Sequence, residues 1–379
     1  MDTEATRVPA ASRHADEDAI RVPAELRHAD ELERLRQRDR TTGEAVPPGW
    51  RLSPKAVRSF VVGDAKLGVA RKFYGDDPLV DRAVVTLLGR QGLMLVGEPG
   101  TAKSMLSELF AAAVSGDSNL TVQGTAGTTE DHIRYSWNYA LLLAEGPSER
   151  SLVPSPIYQA MAAGAVARFE EITRVVPEIQ DVMVSIMSEK QLMVPELGAR
   201  GRVAARPGFN VVATANLRDR GVNEMSAALK RRFNFETVRP IADRDFEIEL
   251  VARQVDAELG PDRGGVRLDR DVVALLVTAF RELRSGTTAE GTAIKRPETV
   301  MSTAEAVNVA VAATLEARYL GDGRVTPAEV ARQLVGVALK DNAEDAKRLR
   351  FYVDTVVRGR ARRDHAWKVF GAAAAEVWG

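Results

Sequence analysis

The segment Leu93-Met94-Leu95-Val96-Gly97-Glu98-Pro99-Gly100-Thr101-Ala102-Lys103-Ser104 constrains the fold more than any other stretch of the chain. Its apolar start reads as a buried strand, its middle as a glycine turn and its end as the opening of a helix. Glycine lets successive backbone N–H groups curl toward an anion without a Cβ in the way. The helix that follows adds its dipole and its unpaired N–H groups. Residues Gly97, Glu98, Pro99, Gly100, Thr101, Ala102, Lys103 and Ser104 therefore form a candidate triphosphate cradle. Lys103 reaches the β- and γ-phosphates as a point charge, and Ser104 offers a hydroxyl to Mg²⁺. Ala102 stands where a glycine is usual, and it is tolerated there if its φ is negative.

Such a cradle needs an acid at the end of a neighbouring strand. Ala165–Phe169 reads as a strand and runs into Glu170-Glu171. Glu170 is the candidate metal-holding carboxylate, and Glu171 the candidate general base for water. Aspartate is commoner at the first of these places, so Glu170 is one methylene longer than usual. The strand Phe209–Ala215 (FNVVATA) ends in Asn216, whose amide is suited to orienting the water and sensing the γ-phosphate. The run Leu229-Lys230-Arg231-Arg232-Phe233 has two readings: a guanidinium donor to a neighbouring subunit's nucleotide, or a solvated basic run ahead of a strand.

Leu93–Val96, Leu120–Val122, Ala165–Phe169 and Phe209–Ala215 alternate with helical segments, which implies a parallel sheet with helices on both faces. After residue 240 strand signals stop. Asp243–Glu258, Asp269–Leu283, Pro297–Ala317, Pro327–Leu339 and Ala343–Val357 read as amphipathic helices, and the apolar tail from Val369 to Trp378 as a last packed one. The expected organisation is a charged arm with a short helix (1–50), an α/β nucleotide-binding domain (51–240) and a helical lid domain (241–379). Ser53-Pro54, after Pro47-Pro48-Gly49, reads as an N-cap and first helical turn. The arm repeats RVPAASRHADE (7–17) as RVPAELRHADE (21–31), two copies being too few for a solenoid. It reads either as a disordered start that continues into a short docking helix through Leu26, Ala29, Leu32 and Leu35, or as a solvated charged arm with no role.

Composition excludes several classes. Net charge is −1, from 52 Lys and Arg against 53 Asp and Glu, which gives no whole-chain pull toward nucleic acid or anionic membrane. With no cysteine and four histidines at no metal-ligand spacing, a thiolate metal site, a cysteine nucleophile and a disulfide are all ruled out. No run approaches the ~20 apolar residues of a membrane span, and no apolar leader is present, so a cytoplasmic location is the default expectation.

The motifs GEPGTAKS, FEEITR (169–174), ATAN (213–216) and AALKRRF (227–233) stand in the order and spacing of AAA+ ATPases. The set resembles the MoxR branch, and PPGWRLSPKAV (47–57) with RFEEITR (168–174) resembles its YehL-like group. The resemblance spans about residues 20–350. It implies an AAA+ P-loop core with a helical lid and a ring-forming, usually hexameric, ATP-driven remodeller of a client protein. It also implies a partner carrying a von Willebrand factor A domain with a metal site. By matching position it gives Lys103 and Ser104 the Walker A roles, Glu170 and Glu171 the Walker B roles and Asn216 the sensor 1 role. The arginine finger is Arg232, or Arg231, which stands where the family has Asp. Arg296, before Pro297 at an expected helix start, is the candidate sensor 2 contact to ATP. Segment 191–207 resembles the hairpin inserted before sensor 1, and 124–156 the region of the clade's helix 2 insertion. There Trp137 and Tyr139 either meet a substrate or pack. Rival readings are an ATP-binding assembly switch with little hydrolysis, a DNA translocase, which the neutral charge disfavours, and a small-molecule kinase, in which the lid and arginine cluster have no role.

Overall fold

The computed structural model describes residues 22–216, 221–260, 263–299, 301–338 and 342–378. The expected disordered start, with the first copy of the repeat, lies outside them. The chain falls into two compact units: residues up to Gly97 with Ala102–Val238, and Glu98–Thr101 with the residues from Arg239 onward.

The strands of the first unit are β1 (Gly92–Val96), β2 (Thr121–Gln123), β3 (Tyr135–Trp137), β4 (Leu152–Pro154), β5 (Val166–Glu170), β6 (Gln191–Met193), β7 (Arg202–Ala204), β8 (Asn210–Ala215) and β9 (Phe233–Thr237). Among the described residues, five of them form one sheet in the order β2-β5-β8-β1-β9. Every pairing in it is parallel. β1, β5 and β8 are buried along their whole length, because helices cover both faces, and so they read as largely apolar runs, with Asn210 and Thr214 buried in β8. β5 is the exception in chemistry: Arg168 and Glu170 are charged and buried. The basic run at 230–232 does precede a strand, the sheet-edge β9, three of whose five residues are open to solvent.

On one face Phe60, Leu106, Phe110 and Leu95 pack together, drawn from helices Pro54–Val62 and Lys103–Ser115 and from β1. On the other, Phe169 meets Met161 and Met187 from helices Pro156–Ala163 and Val182–Glu189. Ser53 caps the first helix as expected, its Oγ accepting from Ala56 N at 3.1 Å. Asp39 fixes that cap, accepting from Ser53 N at 2.7 Å and Ser53 Oγ at 2.8 Å. The docking helix is present as Ala24–Arg27 and Ala29–Thr42. Ala24, Leu32 and Leu35 enter the core, while Ala29 stays exposed.

Segment 191–207 is a hairpin: β6 and β7 pair antiparallel around the turn Pro195–Gly201. In 124–156, β3 and β4 pair antiparallel and flank helix Tyr139–Glu145. Trp137 packs edge-on against Tyr135 at 5.9 Å, whereas Tyr139 is 71% exposed.

The second unit is built on helices Arg244–Leu259, Arg270–Ser285, Thr303–Tyr319, Pro327–Ala338, Ala343–Tyr352 and His365–Trp378. Phe280, Leu276, Leu334, Tyr352 and Phe370 form its core. Glu247 is wholly buried and takes hydrogen bonds from Arg281 (2.8 Å), Arg284 (2.9 Å) and Thr303 (2.6 Å). Three expectations need correction. The helix expected over Pro297–Ala317 begins at Thr303, because Ser302 and Glu305 close a capping box there. The helix expected over Ala343–Val357 is α-helical to Tyr352 and widens into a π turn at Val353–Val357. Strand structure also continues past 240 as the parallel pair β10 (Arg267–Leu268) and β11 (Arg324–Val325), which is too short to show a period. No helix among the described residues is long and apolar enough to cross a membrane.

Candidate active site

The glycine turn joins β1 to helix Lys103–Ser115, the expected strand-to-helix junction. Gly100 and Ala102 both take left-handed backbone, with φ of +73° and +67°. This corrects the negative φ expected for Ala102: the alanine fills the glycine place in the glycine conformation, at about 1–2 kcal/mol of backbone strain. Thr101 Oγ1 closes the turn by donating to Glu98 O at 2.8 Å. Lys103 is buried, and its Nζ donates to Gly97 O at 3.1 Å.

β8 lies between β1 and β5, so the acid strand is one strand removed from the loop strand. Strand alternation puts Val166, Arg168 and Glu170 on one face, toward helix Lys103–Ser115. Glu170 Oε2 accepts from Ser104 Oγ and Thr214 Oγ1, each at 2.7 Å. Glu170 Oε1 accepts from Arg168 Nη2 at 2.8 Å and from Ser107 Oγ. Burial pushes this carboxyl up, but the Arg168 guanidinium and the Ser107, Ser104 and Thr214 hydroxyls outweigh it and hold it below its ordinary value. Glu170 thus stays ionised beside Ser104. A hydroxyl and a carboxylate oxygen are hard donors suited to Mg²⁺, which binds through one or two carboxylates plus phosphate and water. Among the described residues no cluster of three or more His, Asp or Glu would hold a metal by side chains alone.

Glu171 is also left-handed, at φ +52°. Its N–H donates to Thr214 Oγ1 at 2.9 Å, which ties the acid pair to β8. Its carboxylate is ion-paired with Arg174. Gly124 makes room for this turn: a Cβ there would come within 2.5 Å of Glu171 O. Asn216 follows β8 and is buried, and its Oδ1 has no hydrogen-bond partner among the described residues. A buried amide oxygen left without a partner is costly, and such groups recur where a ligand or water is to be met.

The arginines lie elsewhere. Arg232 O accepts from Gly92 N at 2.8 Å, at the start of β1, while the phosphate loop follows its end. A five-residue strand at ~3.3 Å per residue separates them. Arg232 is engaged within its own unit, donating to Ser188 Oγ at 2.9 Å and Ala228 O at 3.0 Å. Arg231 is exposed. Arg296 belongs to the second unit and does not open a helix, since that helix starts at Thr303. Its Nε donates to Arg284 O at 2.6 Å, at the carbonyl end of helix Arg270–Ser285.

Arg168, Ser107 and Thr214 are the site residues that the sequence reading did not single out. A signal existed for each: Arg168 is two residues before the acid on a strand, Ser107 is one helical turn after Ser104, and Thr214 is two before Asn216.

A parallel sheet in this order, with the phosphate loop after β1, an acid pair after β5 and an amide after the strand between them, defines the core of an AAA+ P-loop ATPase. Residues 92–233 match the AAA domain of the dynein-related subfamily, and residues 245–372 match the YehL-like AAA+ ATPase C-terminal domain. The chain is 48% identical over 365 residues to YehL of Escherichia coli (strain K12), covering 96% of this chain and 95% of that one. It belongs to the YehL-like AAA+ ATPases, which bind and hydrolyse ATP. Chaperone MoxR1 of Mycobacterium tuberculosis (strain ATCC 25618 / H37Rv) is 28% identical over 190 residues, 49% of this chain and 46% of that one. NtrX of Brucella abortus, solved with ADP, superposes with a TM-score of 0.46 at 13% identity; the match covers 78% of this chain and 63% of that chain.

Proposed function

We propose that the protein couples ATP hydrolysis at a site shared between neighbouring copies in a ring to the remodelling of a client protein. Lys103 and the loop Gly97–Ala102 hold the triphosphate, and Ser104 and Glu170 hold Mg²⁺, which neutralises phosphate charge when bound. Glu171 takes the proton from water that Asn216 orients, and Arg296 is the candidate lid contact to ATP. Arg231 or Arg232 completes a neighbour's site. The observation that carries this reading is the place of the two arginines. They sit at the opposite end of β1 from the loop of their own copy, so a second copy is the natural recipient. The lid is residues 241–379 and the nucleotide domain 51–240. The family resemblance supports a hexameric ring and a partner with a von Willebrand factor A domain. One relative's being named a chaperone supports work on a client. A cytoplasmic setting is part of the same reading.

Steady-state ATP turnover and nucleotide binding test it together. Lys103→Ala should lose both, since the point charge on the phosphates goes. Glu171→Gln should bind ATP normally and turn it over about 10²–10⁴-fold more slowly, the usual loss for a general base. Wild-type turnover in either variant would sink the reading. A second reading, ATP as an assembly switch with little hydrolysis, is favoured by the Glu171–Arg174 ion pair, which occupies the base. Negligible wild-type turnover with or without a candidate partner would select it.

A further inference from the structure

Arg168 is 6% exposed in the middle of a sheet and every donor group of its guanidinium is in use. Nε donates to Ser107 Oγ at 3.0 Å, Nη1 to Ser118 O at 2.9 Å, and Nη2 to Glu170 Oε1 at 2.8 Å and Ser104 O at 3.1 Å. The fork therefore touches the first two turns of the phosphate-loop helix, the loop that follows that helix and the acid itself. Ser107 Oγ bonds the same Oε1. Oε1 is thus filled by Arg168 and Ser107, while Oε2 faces Ser104 and Thr214.

This division of labour answers a problem set by Glu170. The extra methylene relative to aspartate adds a rotatable bond, and an unanchored carboxylate would turn among several aims. A planar fork fixes the directions in which it meets a carboxylate oxygen, two backbone carbonyls and a hydroxyl at once; an ammonium, with three donors rotating on a flexible stem, fixes none of them. We propose that Arg168, with Ser107, is the positioning residue of the metal–nucleotide centre: it anchors Oε1 so that Oε2 alone is presented beside Ser104. The proposal rests on the reading of Ser104 and Glu170 as the Mg²⁺ donors.

The test measures binding of a fluorescent ATP analogue as Mg²⁺ is titrated, with EDTA as the metal-free limit, so that turnover is not the readout. Arg168→Lys keeps the charge and removes the fork; Ser107→Ala removes a donor to Oε1 and leaves the ion pair. Glu170→Gln is the reference for loss of the metal carboxylate, and thermal unfolding reports whether each variant is folded. Loss of an outer-shell partner typically weakens metal binding 10–100-fold. The half-saturating Mg²⁺ concentration should therefore rise about 10-fold in Ser107→Ala and more in Arg168→Lys, with affinity in EDTA unchanged. If Arg168→Lys does not fold, Ser107→Ala decides. Wild-type Mg²⁺ dependence in these variants, alongside its loss in Glu170→Gln, overturns the proposal and leaves the metal reading intact. An equal loss of affinity with and without Mg²⁺ also overturns it, because Arg168 would then only brace the core. Wild-type Mg²⁺ dependence in Glu170→Gln removes the metal reading and this proposal with it.

Discussion

Ala102 carries the backbone of a glycine with the side chain of an alanine. The left-handed conformation costs alanine about 1–2 kcal/mol, and glycine's greater freedom in the unfolded chain returns about 0.5–1 kcal/mol of that difference. Ala102→Gly should therefore stabilise the nucleotide-free protein by up to about 1 kcal/mol, read as a rise in denaturation midpoint, with ATP affinity kept. A fall in stability would mean that the φ of +67° is not strained. The places of Lys103, Ser104, Glu170, Glu171 and Asn216 in the fold were legible in sequence because each stands at a strand end or turn with its own local signature. The backbone of Ala102 was not, since a residue's φ is set by where the loop must go. Nor was the part played by Arg168, whose partners Ser104, Ser107 and Ser118 come from other segments.

At the scale of elements, boundaries were legible where capping chemistry was unambiguous, as at Ser53-Pro54. They were misread where a proline drew attention from a better cap, as at Pro297 against the Ser302–Glu305 box. Two element-level devices give testable effects. Glu247 binds Arg281, Arg284 and Thr303 from two further helices of the second unit. Glu247→Ala leaves two guanidiniums without their buried partner, and breaking such a pair costs about 3–5 kcal/mol. Calorimetry should show a lower unfolding transition for the helical unit. The second device is His28, which packs edge-on against Phe60 at 5.6 Å. Burial lowers its pKa to about 4, with Lys72 and Arg27 adding to the shift and Glu31 opposing it. The unfolded imidazole titrates near 6.5, so the stability tied to the neutral ring is complete above that pH. It is lost as pH falls from 6.5 toward 4. Hydrogen exchange across Ala29–Thr42 should quicken in that window, and His28→Gln should flatten the response.

At the scale of the molecule, the parallel sheet and the helical unit were legible from the change of period near residue 240. The short strand pair β10–β11 was not, because two residues carry no period. A ring with shared sites predicts a mixing result. Arg231→Ala or Arg232→Ala alone should lose most turnover, a trans-acting arginine being worth 10³–10⁵ in rate. Either should regain turnover when mixed with a Lys103→Ala copy that still offers an intact arginine, as measured by ATPase activity against mixing ratio. No recovery at any ratio would count against sharing. The Gly92–Arg232 hydrogen bond gives that sharing a mechanical side. If copies share sites as proposed, one short, fully buried strand begins beside the arginine offered to the next copy and ends at the cradle for its own phosphates. In such a ring, a shift of the cradle carried along this strand would reach the arginine offered next door. Firing order around the ring would then be inherited from the sheet and would need no separate messenger.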